Sequence, residues 1–284
     1  MKKYILAFLI ILTTGVSHAL PVSNPADPCL ICDGLFLEGH CGDPSDPSLT
    51  WLDTFSVRFG FYGNYVFNRH MEVDSSRYRC DIEETKINTN AGFLACNFWD
   101  YFDIFATFGG TNILINTNEQ AFALNGSGRF QIETNTQFSW SIGVRTLIWD
   151  CGSTTLGAEA QYFYTKPNIS RLTQTDSLSI YPNELNGKYQ EWQIGLGISH
   201  RINLLVPYIA IKFSQSQLQF NHTIVDGFFN EALPAEAILY NLGSKKRWGY
   251  TIGVSFVNCE KISLTAEGDW GDEKGAYLSS QIRF

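Results

Sequence analysis

Charged residues are scarce in this chain. Asp, Glu, Lys and Arg together make up 17 % of its 284 residues, against about 25 % in ordinary soluble domains. The 28 acidic residues outnumber the 20 basic ones, and the formal net charge is −8. A basic surface that could neutralise phosphates is therefore missing, which disfavours a nucleic-acid partner.

Long hydrophobic runs are also missing after the N-terminus, so any membrane crossing must be made by strands. The one apolar run, residues 4–12, follows two lysines and precedes Ser17-His18-Ala19, whose small residues fit a signal-peptidase site. We therefore expect residues 1–19 to be a cleaved signal peptide and the net charge to become −10 once Lys2 and Lys3 are gone, from −8 for the whole chain. The alternative is a membrane anchor, for which the run is short.

Cysteine, in contrast, is plentiful, and seven cysteines in an exported chain indicate an oxidising compartment. An odd number cannot pair completely within one chain, so a free thiol or a bond to another chain is expected. The competing interpretation of Cys29-x-x-Cys32 is a zinc or redox motif, but no second pair completes a metal site. We interpret Cys96 as a buried thiol and leave Cys80 unassigned. The disulfide candidates are Cys29, Cys32, Cys41, Cys151 and Cys259.

Apolar and polar residues alternate along long segments after Trp51. The clearest segment alternates Trp192, Ile194, Leu196 and Ile198 with polar residues and glycine. Such segments run ~9–13 residues, near the ~9–11 that cross a bilayer at a tilt, and aromatic residues recur near their ends. The pattern predicts an all-β protein, an antiparallel transmembrane β-barrel. A soluble β-sandwich, which also alternates, is the alternative.

Short and long connections alternate between these segments, as in outer-membrane barrels with short periplasmic turns and longer extracellular loops. Ten strands are clear and two weaker ones lie near residues 78–84 and 120–124, so we expect about 12 strands, within a range of 10 to 16. Residues 53–284 form the predicted barrel. Residues 20–52, rich in cysteine and proline, are expected on the periplasmic side or inside the lumen.

Charged residues within the strands should face the lumen, because Lys and Arg cost about 2–4 kcal/mol on the lipid face at mid-depth. Opposed charges there would filter solutes by size and sign. For Arg201 and Lys261 a strand end in the headgroup zone is the alternative position. The candidate pore-lining residues are Arg58, Arg145, Glu159, Glu191, Arg201, Lys212, Lys261 and Glu267.

Several long sequence blocks resemble the chlamydial major outer membrane protein family. They include "LPVSNPADP", "DGLFLEGHCGDP", "FGFYGNYVFNR", "NFWDYFDIFATFGG", "FSWSIGVRTLIWDCGSTTLGAEAQYFYTKP", "EWQIGLGISHRINLLVPYIAIKFS" and the terminal "QIRF". The resemblance spans nearly the whole mature chain, and the irregular loops fall where the family has its variable surface segments, which are shorter here.

The resemblance implies an outer-membrane porin that admits small hydrophilic solutes and ions, and an envelope protein cross-linked to others by disulfides. One stretch departs from the family: "SDPSLTW" stands where the family is dense in cysteine, which reduces the expected cross-linking. A homotrimer is expected by fold analogy alone. A barrel with a plugged lumen, acting as a scaffold or adhesin, is the alternative function.

Catalysis is not expected. The chain contains neither a G-x-S-x-G nor an H-E-x-x-H motif, although a Ser-His pair assembled across strands would escape sequence inspection. An outer-membrane hydrolase is therefore the weaker alternative. The sequence indicates no metal site and no cofactor.

Overall fold

The alternating segments fold into antiparallel strands. The computed structural model describes residues 20–31, 55–74, 82–117, 130–174, 178–180, 182, 185–221, 224–229, 233–258 and 261–284. Its elements are α1 (Asp27–Leu30), β1 (Phe55–Arg69), β2 (Met71–Val73), β3 (Ile82–Phe98), β4 (Phe102–Thr117), β5 (Phe130–Thr134), β6 (Gln137–Cys151), β7 (Thr154–Thr165), β8 (Ile169–Gln174), β9 (Leu178–Ile180), β10 (Gly187–His200), β11 (Leu205–Phe220), β12 (Ile224–Phe229), β13 (Leu233–Ile238), β14 (Leu242–Ser244), β15 (Trp248–Asn258), β16 (Ile262–Trp270) and β17 (Glu273–Arg283).

Ten of the described strands form a closed ring. The order is β1-β3-β4-β6-β7-β10-β11-β15-β16-β17 and back to β1, and each neighbouring pair is antiparallel. The predicted all-β antiparallel barrel is confirmed, whereas the count of about 12 strands is not. Of the two weaker segments, the first overlaps the start of β3 at Ile82, and residues 120–124 lie outside the described residues.

The two faces of the ring differ in polarity, because successive side chains in a strand point to opposite sides. On β10, Trp192, Ile194 and Leu196 lie on the outside with 38 %, 54 % and 41 % of their surface exposed, and Gln193 between them is buried. A sandwich would bury these apolar side chains between two sheets. The sandwich alternative is therefore wrong, and the outer face is an apolar belt.

The connections between barrel strands divide by length. Residues 99–101, 152–153, 201–204 and 259–261 make short connections at one end of the ring, where β1 also begins and β17 ends. Residues 70–81, 118–136, 166–186 and 221–247 make long connections at the other end, which also carries the tight turn at 271–272. We call the two ends the turn end and the loop end.

The apolar core lies toward the loop end. The short strands β2 and β14 pair with each other, β5, β8 and β9 extend the sheet from β4, and β12 pairs with β13 as a separate hairpin. Val66, Ile87 and Ile113 on barrel strands pack with residues of the connections, such as Met71 and Leu242, and each is at most 4 % exposed. We call this group the apolar cluster. In the described part of the chain, no helix is long and apolar enough to span a membrane.

Candidate functional site: the barrel lumen

The inner face of the ring carries buried charged side chains. Six of the predicted pore-lining residues lie on strands and are between 1 % and 6 % exposed: Arg58, Arg145, Glu159, Glu191, Lys212 and Glu267. They alternate with residues that face outward; on β11, Lys212 lies between the exposed Ile211 and the partly exposed Phe213. A buried charge needs a partner, and the described contacts supply one for each of these side chains.

The two remaining predicted residues lie outside the strands. Arg201 follows the end of β10 and Lys261 precedes β16, and both are partly exposed at the turn end. The Arg201 guanidinium lies 3.4 Å from the carbonyl of Asn203 in its own turn. These two cations are therefore at the rim of the ring.

One charged group, centred on Arg145, lies toward the turn end. The Arg145 guanidinium donates to Glu159 at 2.8 Å and to Asp27 at 2.8 Å, and it lies over the ring of Phe105. Arg58 forms a buried ion pair with Asp103. Charge-assisted bonds of this kind fix side-chain positions across four strands and α1.

A second charged group lies toward the loop end and is richer in carboxylates. Arg69 contacts Glu273 at 2.6 Å, Glu191 at 3.0 Å and Asp272 at 3.1 Å. Lys212 contacts Asp269 at 3.2 Å and also pairs with Glu273. These side chains are at most 2 % exposed.

Sequence reasoning missed several lumenal charges. On β1, Phe59, Phe61 and Phe67 face outward, so simple alternation would place Arg69 outside as well. The strand register instead shifts between Val66 and Asn68 against β17, and Arg69 is fully buried inside. A bulge of this kind reverses the facing of the residues after it. Asp103, Asp269, Asp272 and Glu273 were also missed; of these, Asp269 follows the inward Glu267 by two residues, so alternation could have found it.

The N-terminal residues 20–31 lie inside the ring, and we call them the lumenal segment. The carboxylate of Glu267 accepts hydrogen bonds from the backbone N–H of Val22 at 2.9 Å and of Ser23 at 3.0 Å. The Gln193 amide donates to the Pro21 carbonyl at 2.8 Å. Wall side chains also donate to carbonyls further along: Arg58 to Asp27 at 2.7 Å, Asn97 to Pro28 at 3.0 Å and Arg283 to Ile31 at 2.6 Å.

Glycines on the wall leave room for this segment. A Cβ added at Gly195 of β10 would lie 2.6 Å from Val22, and one at Gly197 would lie 2.6 Å from Pro25. On β7, a Cβ at Gly157 would lie 2.6 Å from the Pro25 carbonyl oxygen. A larger side chain at any of these positions would clash with the segment, so either the segment or the strand that carries the side chain would have to shift. The three glycines form a groove that holds Val22 and Pro25.

Burial changes the acid–base properties of the segment. It raises the pKa of Asp27 above its usual value, against the opposing effect of Arg145 and Arg58. It also raises the pKa of the Cys29 thiol to about 12. The Cys29 thiol donates to the Ala26 carbonyl at 3.2 Å. Cys29 is therefore a neutral thiol at physiological pH.

The other described cysteines lie on the outside of the ring. Cys96 is a free, half-buried thiol on the outer face of β3, so it is less buried than predicted. Cys151 is a free, exposed thiol at the turn end of β6. Cys32, Cys41, Cys80 and Cys259 fall outside the described residues. Over the described ranges, no group of three or more His, Cys, Asp and Glu side chains is arranged to hold a metal ion.

Comparison with known proteins gives consistent matches along the chain. The family described as Chlamydia major outer membrane protein matches residues 1–84, 74–133, 126–180 and 173–227. A major outer membrane porin of Chlamydia pneumoniae is 30 % identical over 385 aligned positions, covering all of this chain and 99 % of the relative. One from Chlamydia abortus (strain DSM 27085 / S26/3) is 31 % identical over 389 positions and covers both chains completely.

Among solved structures, the translocator domain of the autotransporter NalP from Neisseria meningitidis is similar at a TM-score of 0.42 and 10 % identity, over 84 % of this chain and 90 % of that one. The family match extends over more than half of the chain, and the curated relatives align along all of it. The chain therefore belongs to the Chlamydia major outer membrane protein family, which places it in the outer membrane as a porin.

Proposed function

We propose that small hydrophilic solutes and ions diffuse through the polar lumen and that the lumenal segment holds this path closed in the conformation described here. Six charged residues of the pore-lining prediction would then line the path: Arg58, Arg145, Glu159, Glu191, Lys212 and Glu267. The proposal is carried by the observation that residues 20–31 lie along the inside of the ring, held by the side chains of the wall.

The way in which the segment is held supports a removable closure. Its described contacts with the wall include hydrogen bonds to side chains and the ion pair between Asp27 and Arg145. Water can replace such bonds when the segment leaves, since folding and binding exchange protein bonds for water bonds at a modest net difference. Because residues 20–31 are not a strand of the ring, their displacement leaves the ladder of the barrel intact.

A reversible lock tests this proposal. A Cβ added at Gly195 would lie 3.6 Å from the Cβ of Val22, within the ~3.5–4.5 Å that a disulfide spans. The variant with Val22→Cys and Gly195→Cys should therefore be silent in planar bilayers when oxidised and should show uniform steps after reduction. Each single variant and the unmodified chain, recorded with and without reductant, are the controls. Equal conductance of the double variant in both redox states would contradict the closure.

A second candidate function is a closed structural barrel, and the apolar cluster favours it. The cluster buries Leu20 together with residues of the long connections, and no member is more than 9 % exposed. A solute would also have to pass this layer. The test is the conductance of the unmodified chain in planar bilayers, with its folding verified by heat-dependent gel mobility. Absence of conductance with and without reductant would support the structural barrel over the channel.

We propose further that the turn end faces the periplasm and that the loop end faces outward, as in other outer-membrane barrels. Cys151 at the turn end would then be available for disulfides with periplasmic partners. Cys29 is half-buried inside the ring and would become fully available only after the lumenal segment leaves. The homotrimer and the disulfide-linked envelope partners stay predictions.

A further inference from the structure

Processing of the chain changes the chemistry of one atom inside the ring. Hydrolysis of the peptide bond between Ala19 and Leu20, as the sequence predicts, leaves a carboxylate on Ala19 and a free α-amino group on Leu20. With a usual pKa of about 7.7–8.0, such a group is an ammonium at neutral pH. Leu20 is the first residue of the lumenal segment and is 3 % exposed. Cleavage therefore creates a positive charge inside the barrel.

The position of Leu20 is fixed by contacts with the wall. The Lys212 ammonium donates to the Leu20 carbonyl at 3.3 Å, and the side chain of Leu20 packs in the apolar cluster. The next carbonyl, that of Pro21, accepts from Gln193 at 2.8 Å. Bond lengths keep the nitrogen of a residue within about 4 Å of its carbonyl oxygen. The α-nitrogen of Leu20 therefore lies close to Lys212, in the second charged group.

Negative charge is in excess in this part of the lumen. Among the described residues, the carboxylates around Arg69 and Lys212, none more than 6 % exposed, are Glu191, Glu267, Asp269, Asp272 and Glu273. Tyrosine hydroxyls donate to Glu191 and Glu267 but add no positive charge. If all five carboxylates are ionised, the two cations leave a net charge of −3 (five minus two). Buried charge of this kind is costly unless a cation or a proton compensates it.

Two hydrogen-bond acceptors near Leu20 are available for an additional donor. The amide oxygen of Gln193 and Oδ1 of Asp272 belong to side chains at most 1 % exposed, and neither atom has a hydrogen-bond donor among the described residues. Asp272 Oδ1 lies 4.0 Å from the Lys212 Nζ that holds Leu20. An ammonium offers three N–H donors. The charge and the donors of a free α-amino group thus match the excess of carboxylates and acceptors around it.

We infer that the α-ammonium of Leu20, once freed by cleavage, binds among these carboxylates and anchors the lumenal segment inside the barrel. In the uncleaved chain the same nitrogen is an uncharged amide, so the ion pair forms only after processing. The final packing of the lumen is thereby coupled to cleavage. The inference rests on the predicted cleavage site. It does not depend on conduction, and the measurements that test it leave the channel proposal untouched.

The N-terminus of the protein taken from outer membranes is the first measurement. Mass spectrometry should show that the chain begins at Leu20, and any other N-terminus would overturn the inference.

A refolded chain that begins at Leu20 then separates the charge from the size of the terminal group. The chain is released from a removable N-terminal fusion and modified in denaturant near neutral pH, where the α-amino group reacts ahead of the lysines because its usual pKa is lower. Acetylation removes the charge, whereas reductive dimethylation adds similar bulk and keeps the charge. Heat-dependent gel mobility verifies folding of both forms. Loss of folding in the acetylated form alone would support the inference.

Hydrogen–deuterium exchange read by mass spectrometry measures how firmly residues 20–31 are held. Exchange should be about tenfold faster in the acetylated form, as expected for the loss of one charge-assisted interaction. The dimethylated form should stay within about twofold of the unmodified chain, because its charge is kept. Similar exchange in all three forms would overturn the inference. Equal acceleration in both modified forms would overturn it as well, since bulk and not charge would then be the cause.

The pH dependence of stability gives an independent measurement. We expect attraction by the carboxylates to outweigh burial and to raise the pKa of the α-amino group in the folded chain. Its contribution to the free energy of unfolding is then fully present below about pH 7.7 and is lost as pH rises through the higher folded value. The urea midpoint of the unmodified chain should therefore exceed that of the acetylated chain at neutral pH and approach it at alkaline pH. A difference that does not change with pH would overturn the inference.

The other titratable and charged groups around the site are present in both forms, so the difference between the two midpoints reports on the α-amino group. These groups are Arg69 on β1, Tyr189 and Glu191 on β10, Tyr208 and Lys212 on β11, Glu267 and Asp269 on β16, Asp272 in the tight turn and Glu273 on β17.

Discussion

Asp27 of the lumenal segment and Arg145 of β6 form an ion pair of 2.8 Å inside the barrel, although 118 residues separate them in the sequence. Arg145 also holds Glu159 on the neighbouring strand at 2.8 Å. One guanidinium thus joins the segment to the wall. Removing one partner of a buried charge group leaves the other charges uncompensated. The stability of the fold should therefore depend strongly on Arg145.

Replacing Arg145 should destabilise the barrel strongly. Arg145→Met leaves the carboxylates of Asp27 and Glu159 without their shared cation, and we expect a loss of about 3–5 kcal/mol in the free energy of unfolding. Urea titration of the refolded chain in detergent measures it. Arg171→Gln is the control, because Arg171 and Glu133 form a partly exposed pair at the loop end, and it should change stability by at most about 1 kcal/mol. Equal effects of the two substitutions would contradict the central role of Arg145.

Adding one methyl group at Gly195 should loosen the lumenal segment without disturbing the ring. The Cβ of Gly195→Ala would lie 2.6 Å from the side chain of Val22, and the three nearest atoms within 4 Å all belong to Val22. We expect faster cleavage near residues 20–31 in limited proteolysis and more frequent open steps in bilayer recordings. Gly92→Ala, whose Cβ would have 3.8 Å to the nearest atom on the outer side, should leave both measurements unchanged. Unaltered proteolysis of the Gly195 variant would argue against a tightly held segment.

Cys151 should react with a maleimide much faster than Cys29 in the reduced chain. Cys151 is exposed, whereas burial raises the pKa of the Cys29 thiol to about 12 and so suppresses the reactive thiolate. Peptide mapping by mass spectrometry separates the two sites. With a membrane-impermeant maleimide, Cys151 should label only after the outer membrane of intact cells is opened. Labelling in unopened cells would reverse the proposed orientation.

Asp272 should make the barrel sensitive to acid. Burial alone would raise the pKa of Asp272. The charges of Lys212 and Arg69 outweigh burial and hold this pKa below its usual value of 3.8. A carboxylate with a lowered pKa in the folded state contributes stability that is fully present above the unfolded value and is lost as pH falls through the folded value. Asp272→Asn should therefore lower the free energy of unfolding at pH 7 and make this free energy decrease less steeply below pH 3.8. Urea midpoints measured across this range check it, and an unchanged acid slope would contradict the ion-pair role.

A charge on the outer face should oppose membrane insertion according to depth. Ile194 is 54 % exposed on the outside of β10, and Ile194→Arg should cost about 2–4 kcal/mol of folding free energy in lipid vesicles, as arginine does near the midplane. Gln215 is exposed beside Trp192 nearer the loop end, and Gln215→Arg should cost about 0–1 kcal/mol. Equal folding yields of the two variants would mean that Ile194 does not face lipid.

The strand-by-strand alternation could be predicted because it is a local property. A residue such as Ile194 must face hydrocarbon if its neighbour Gln193 faces the inside, and this rule also placed Arg58 and Lys212 on the inner face. The same rule fails at Arg69, where the bulge between Val66 and Asn68 reverses the facing. The bulge depends on how β1 pairs with β17, at the far end of the chain.

The sequence by itself determined the class of the protein, because alternation, strand length and aromatic strand ends depend only on residues that are close along the chain. The tertiary structure decided the ring of ten strands, since closure depends on the pairing of β3 with both β1 and β4. It also decided that residues 20–31 lie inside the ring. The groove that holds them is built from Gly157, Gly195 and Gly197 on two strands, and only folding brings these glycines together.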